Sequence, residues 1–224
     1  MTRMIFMVAA LGLAAAVQGR ELRVCADPNN LPFSNERREG FENRIVERVA
    51  KRLGATLRYT WWAQRRGFLR NTLNAGTCDV VPGIASGVEM LGTTRPYYRS
   101  SYVFVVREGE ALPTSLDDET LKTRRIGVQL IGDDGANTPP AHALARRGIA
   151  ANVRGFPVYG DYATSAPQAP IVDALVRGDI DVAVAWGPVA GWFAQRAARK
   201  LVLAPVTPWL DGPQWPMVFD VSMA

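Results

Sequence analysis

The 224-residue chain contains one histidine and two cysteines, which leaves little for metal or nucleophilic chemistry. His142 alone, with no Cys-x-x-Cys spacing, cannot supply the ligands of a usual zinc site. No Ser-His or Cys-His set is present by residue type, so neither enzymatic activity nor a cofactor or metal is expected, although two carboxylates could still meet in three dimensions. Long apolar runs are missing after the first twenty residues, and nothing there approaches the ~20 residues a membrane span needs. Clustered basic surface is missing too. The arginines come in separated pairs (Arg37 and Arg38, Arg65 and Arg66, Arg124 and Arg125, Arg146 and Arg147) without stacking aromatics, which argues against a nucleic-acid partner. Cys25 and Cys78 permit one disulfide in an exported chain. Two thiols on parallel strands often lie too far apart to bond, so the pairing stays open.

What is present begins with MTRMIFMVAALGLAAAVQG: a basic Arg3, an apolar run over 4–17 and small residues before Arg20. That pattern reads as a secretory signal peptide over residues 1–19, and its removal lowers the formal charge of +5 by only one. A periplasmic location is expected, and 48% apolar residues allow a substantial core. The run IVDALVRGDIDVAVAWGP predicts a helix, a left-handed glycine stop at Gly178, and a buried strand opened by Asp181. Leu73, Gly76, Asp79 and Val80 repeat the spacing of Leu175, Gly178, Asp181 and Val182, which implies two α/β halves built alike. Elsewhere the patterns predict helices over 40–53, 68–75, 139–147 and 189–199. Strands are expected over 22–27, 55–61, 78–82, 102–106, 126–129, 153–156, 201–204 and 217–223. A capped turn at Ser115 is expected within 113–121.

These residues resemble the bacterial extracellular solute-binding proteins, family 3. Pro32 with Phe33, Gly40 with Phe41, the Gly-x-x-Asp-Val strand at 76–80, and Thr94, Pro96 and Tyr97 match motifs of the amino-acid-binding members. More narrowly, LRVCADPNNLPFSN, YTWWAQRRGFLRNTL, TTRPYYRSSYVFV, IGVQLIGDD and AWGPVAGWFA are similar to the J-type periplasmic proteins associated with pyrroloquinoline-quinone-dependent methanol dehydrogenases. The resemblance implies an α/β, two-lobe periplasmic-binding-protein type II fold with mixed sheets and crossing hinge strands. Lobe 1 would take residues 20–102 with 217–224 returning to it, and lobe 2 residues 103–216. Further helical material completing lobe 1 would lie beyond Ala224.

Two departures from the amino-acid-binding pattern bear on function. Trp186 stands where those relatives place a carboxylate for the ligand ammonium, and no arginine lies at 87–89, Arg95 being the nearest. The candidate cleft residues are Asp27, Asn29, Asn30, Phe33, Trp61, Trp62, Arg95, Tyr97, Asp133, Asp134, Tyr159 and Trp186, because loops after strand carboxyl ends face the crevice of open α/β sheets. The tryptophan pair could equally be core packing, and Asp133 and Asp134 turn residues or caps. The resemblance implies an accessory protein that assists a methanol dehydrogenase, or its apo form, through an apolar cleft. The alternative is a receptor that delivers a small organic or amino-acid-like solute to an ABC transporter.

Overall fold

A computed structural model describes residues 19–89, 91–132 and 137–224. The expected signal peptide, apart from Gly19, and both Asp133 and Asp134 lie outside the described residues. Strand β1 (Glu21–Ala26) leads into a loop held by a two-residue hairpin, β2 (Asn29–Asn30) and β3 (Ser34–Asn35). Helix α1 (Phe41–Leu53) follows and ends at Gly54. Its deepest face is rotated from the predicted one. Glu42, Asn43, Val46 and Ala50 are buried, Ile45 and Val49 flank them, and Leu53 is exposed. Strand β4 (Thr56–Trp61) returns parallel to β1. The next helix, α2 (Phe68–Asn71), stops before 75 as the Thr72 hydroxyl donates to the Phe68 carbonyl.

The expected strand over 78–82 reduces to one parallel bridge, Val24 to Val80, because Pro82 has no N–H to continue a ladder. This bridge still sets Cys78 beside Cys25, with Cα atoms 5.6 Å apart and the two sulfurs bonded. Then come β5 (Ile84–Ala85) and β6 (Tyr98–Arg107), which begins four residues before the predicted strand. A 3-10 turn (Glu119–Lys122) is capped by Asp118, whose carboxylate accepts from Thr120 N; Ser115 instead holds the Asp117 N–H. The chain continues through β7 (Ile126–Leu130), α3 (Pro139–Arg146), β8 (Val153–Pro157), α4 (Pro170–Arg177), β9 (Val182–Trp186) and α5 (Gly187–Ala194). It ends with β10 (Leu201–Pro205), the hairpin of β11 (Leu210–Asp211) and β12 (Trp215–Pro216), and β13 (Val218–Ser222).

A mixed sheet runs β5-β13-β6-β9-β7-β8, with β10 also on β6, while β1 and β4 form a separate sheet. Strand β6 belongs to both ends of the molecule. Tyr98 to Ser101 pair with β13, whereas residues 102–107 pair with β9 and β10. Its side chains alternate between two cores, Phe104 and Val106 packing with Ile126 and Leu144, and Val103 and Val105 packing with Ile171 and Leu175. Helices cover both faces, which explains why this strand and β9 read as unbroken apolar runs. Strand β13 carries the chain back to β5, and Met223 packs with Val24 and Val46.

The repeated motif is a real structural unit. Gly76 and Gly178 take φ of +69° and +83°, where a side chain would be strained. The aspartates that follow clamp an arginine on the neighbouring strand. Asp79 accepts from the Arg23 backbone N–H and guanidinium, Asp181 does the same for Arg125, and each pair lies 56 residues apart in sequence. Arg23 and Arg125 were the half of the motif that sequence spacing did not reveal.

Candidate functional site

The loops leaving β1 and β8 face each other across a cavity of about 420 Å³. Asp27, the first residue after β1, is buried, and its carboxylate accepts from Asn29 N (2.8 Å), Gln64 N (2.6 Å) and the Tyr162 hydroxyl. Asn29 reaches the same opposing loop, its amide donating to the Thr164 carbonyl at 2.8 Å. The Arg65 guanidinium lies over the Tyr162 ring, 4.4 Å from its centre. Together these contacts latch the mouth. Tyr162→Phe removes the donor to a buried carboxylate and is expected to cost about 2 kcal/mol. The opening should appear as faster amide exchange in residues 159–165 and a larger radius of gyration; unchanged exchange would contradict the latch.

The floor is built around Glu42. The Phe33 carbonyl accepts from Glu42 N at 3.0 Å, so the loop that delivers Phe33 also fixes the start of α1. The Glu42 side chain is 4% exposed with the rest of its residue, and burial pushes its carboxyl up to about 7. Tyr97 and Tyr98 donate to its Oε1 at 3.1 and 3.5 Å and offset part of that shift. Gly83 N donates to the Tyr97 hydroxyl, and a Cβ at Gly83 would come within 2.8 Å of both Glu42 oxygens. Close approach of this backbone is what lets the carboxyl sit there.

Aromatic rings, three glutamines and several valines make the remaining walls. Trp186 ends β9, its N–H held by the Gln129 side chain at 2.8 Å, and its ring meets Tyr102 and Phe219 edge-on at 5.3 and 5.9 Å. Phe33, Phe41 and Tyr98 form a second edge-to-face chain. Asn30 donates to Gln64 from the wall, while its Oδ1 is buried without a donor.

Of the residues picked from sequence, Asp27, Asn30, Phe33, Tyr159 and Trp186 line the cavity, Asn29 latches it and Tyr97 supports Glu42. Three are placed elsewhere. Trp61 stacks on Tyr59 along β4, Trp62 is 46% exposed, and Arg95 is exposed on the segment before β6. The rows of aromatics on a strand end and its edge explain Trp61 and Trp62 as packing and surface. Sequence reading missed Glu42, Tyr98, Tyr102, Gln129, Tyr162, Gln168 and Phe219, all of which line the cavity. Tyr98 and Tyr102 share a strand face at a spacing of four, which was an available signal. Among the described residues, no group of three His, Cys, Asp or Glu side chains could hold a metal ion. No helix there is long and apolar enough to cross a membrane. His142 stacks on Trp215 at 4.0 Å, away from this lining.

No family model matches the chain. It is 44% identical over 213 residues to Protein MoxJ of Paracoccus denitrificans, covering 89% of this chain and 74% of that protein. It is 31% identical over 217 residues to Protein MoxJ of Methylorubrum extorquens, covering 94% and 72%. The crystal structure of the periplasmic binding protein XoxJ from Methylobacterium extorquens AM1 superposes with a TM-score of 0.71 at 38% identity, over 91% of this chain and 83% of that one. The two-lobe architecture, the crossing of β6 and β13 and this kinship agree, and the chain belongs to the MoxJ family of proteins with the type II periplasmic-binding-protein fold.

Proposed function

We propose that this protein is a periplasmic accessory factor that assists assembly or activation of a pyrroloquinoline-quinone-dependent methanol dehydrogenase through its interlobe cleft. The observation that supports it is kinship to MoxJ proteins along almost the whole chain, including the strands that carry the cleft. Residues 1–19 act as the export signal in this reading. The lobes, 20–102 with 217–224 and 103–216, turn about β6 and β13 where β6 changes partners. The cleft binds and does not catalyse. Mixing the purified protein with apo and holo methanol dehydrogenase is expected to give a faster-sedimenting complex, weakened by Trp186→Ala. No complex with either form would overturn the proposal. A cavity of about 420 Å³ lies in the size range of small-molecule sites. That supports the second reading, a receptor for a small organic solute, which the same experiment with an amine and amino-acid panel separates.

A further inference from the structure

We propose that the cleft recognises an organic ammonium group borne on an apolar skeleton and free of a neighbouring carboxylate, supplied by a small amine or by a lysine side chain of a protein segment. The inference rests on the cleft being the working site of the proposed function. Among the described residues its lining contains two buried carboxyl side chains, Asp27 and Glu42, and no lysine, arginine or histidine. Asp27 is already occupied by three donors. Glu42 is faced only by hydroxyls, those of Tyr97 and Tyr98, and by no cation among the described residues. Asn30 Oδ1, in the same lining, is a buried acceptor without a donor. A ligand that brings positive charge and N–H groups meets both needs.

The walls fit the rest of such a ligand. Rings of Phe33, Tyr98, Tyr102, Trp186 and Phe219 offer apolar surface and negative π-faces to a cation. A carboxylate, by contrast, would enter a desolvated site that offers it no positive side chain and two acids. The carboxylate that is missing at Trp186 is therefore supplied from α1, while the described lining holds no positive side chain to pair with the ligand's own carboxylate.

Calorimetry on the full mature chain tests this with 2-phenylethylammonium, 2-phenylethanol, phenylalanine and Nα-acetyl-lysinamide. The first three share a ring and differ in the ammonium and carboxylate. Phenylethylammonium is expected to bind at least ~tenfold more tightly than either the alcohol or phenylalanine, because only it gains a charge partner without stranding another charge. Glu42→Gln should weaken it ~tenfold or more, and Trp186→Leu should weaken it also. Affinity should fall ~tenfold from pH 8 to pH 6 in the parent protein, as Glu42 takes up a proton while the amine, Tyr97 and Tyr98 keep theirs. Binding of acetyl-lysinamide alone keeps the proposal and assigns the source to a protein segment. Silence from both ammonium ligands, equal binding of phenylalanine, or full affinity in Glu42→Gln would overturn it. Should methanol dehydrogenase still form its complex in that event, the accessory function stands and only the cleft chemistry fails.

Discussion

Replacing Cys25 and Cys78 together by alanine is expected to lower the stability of the protein by about 4 kcal/mol. The bond closes a segment of sequence separation 53, and its loss frees the unfolded chain to explore conformations that the cross-link denies it. Both residues are buried in a small cluster with Phe68, Val81 and Ile84, so the cross-link joins β1 to the Val80 segment from inside the lobe 1 core. Urea unfolding should show a lower midpoint for the double variant, and the same lowering for the parent protein under reductant. A midpoint unchanged within error would mean that the β1 and Val80 region is held by packing alone. The consequence reaches the site, because β1 ends one residue before Asp27 and Gly83 lies two residues beyond Val81. Amide exchange at Gly83 and Gln64 should rise in the variant before global unfolding.

Local patterns carried much of the architecture into the sequence. The glycine-stopped helices, the left-handed glycines at 76 and 178 and the aspartates three residues after them are each set by residues close together in the chain. The cleft is different, since its residues come from loops and strands that meet only after the lobes form. Asp27, Phe33 and Trp186 were legible because Asp27 and Phe33 lie on the loop beyond the carboxyl end of β1 and Trp186 is the carboxyl end of β9. Tyr162 was not, because its role depends on Asp27, 135 residues away. Helix α1 shows the same limit in one element. Phe41, Ile45 and Val49 spell out an apolar face, yet the helix sinks deepest along Glu42, Val46 and Ala50. Both rows have a spacing of four, and the deeper one sets Val46 against Val24 and Met223 and Glu42 against the hydroxyls of Tyr97 and Tyr98, contacts that come from outside α1. A glutamate in a row that looks half solvated gives no sign of burial.

That buried glutamate should leave its mark on stability. Burial pushes its folded carboxyl up to about 7 from the 4.5 of an ordinary glutamate, so the folded state binds a proton more tightly than the unfolded chain between those values. The Glu42 contribution to stability is therefore full below about pH 4.5, declines as pH rises toward 7, and levels off above it, with a total change of about 3 kcal/mol. The depressed carboxyls work in a separate window. Asp118 and Asp181, both at about 2, contribute stability that is lost only as pH falls below 3.8. Glu42→Gln keeps an oxygen for Tyr97 and Tyr98 while removing the charge. It is expected to stabilise the protein at pH 8 by about 3 kcal/mol and to flatten the slope between pH 4.5 and 7. Urea midpoints measured across that range provide the check, and a variant with the parent slope would show that another group carries it. A polar group that costs this much when ionised is the kind of residue held for binding and not for folding. A bound ammonium would hold Glu42 ionised and recover part of that cost, so the stability penalty and the cleft's preference for a cation have one origin.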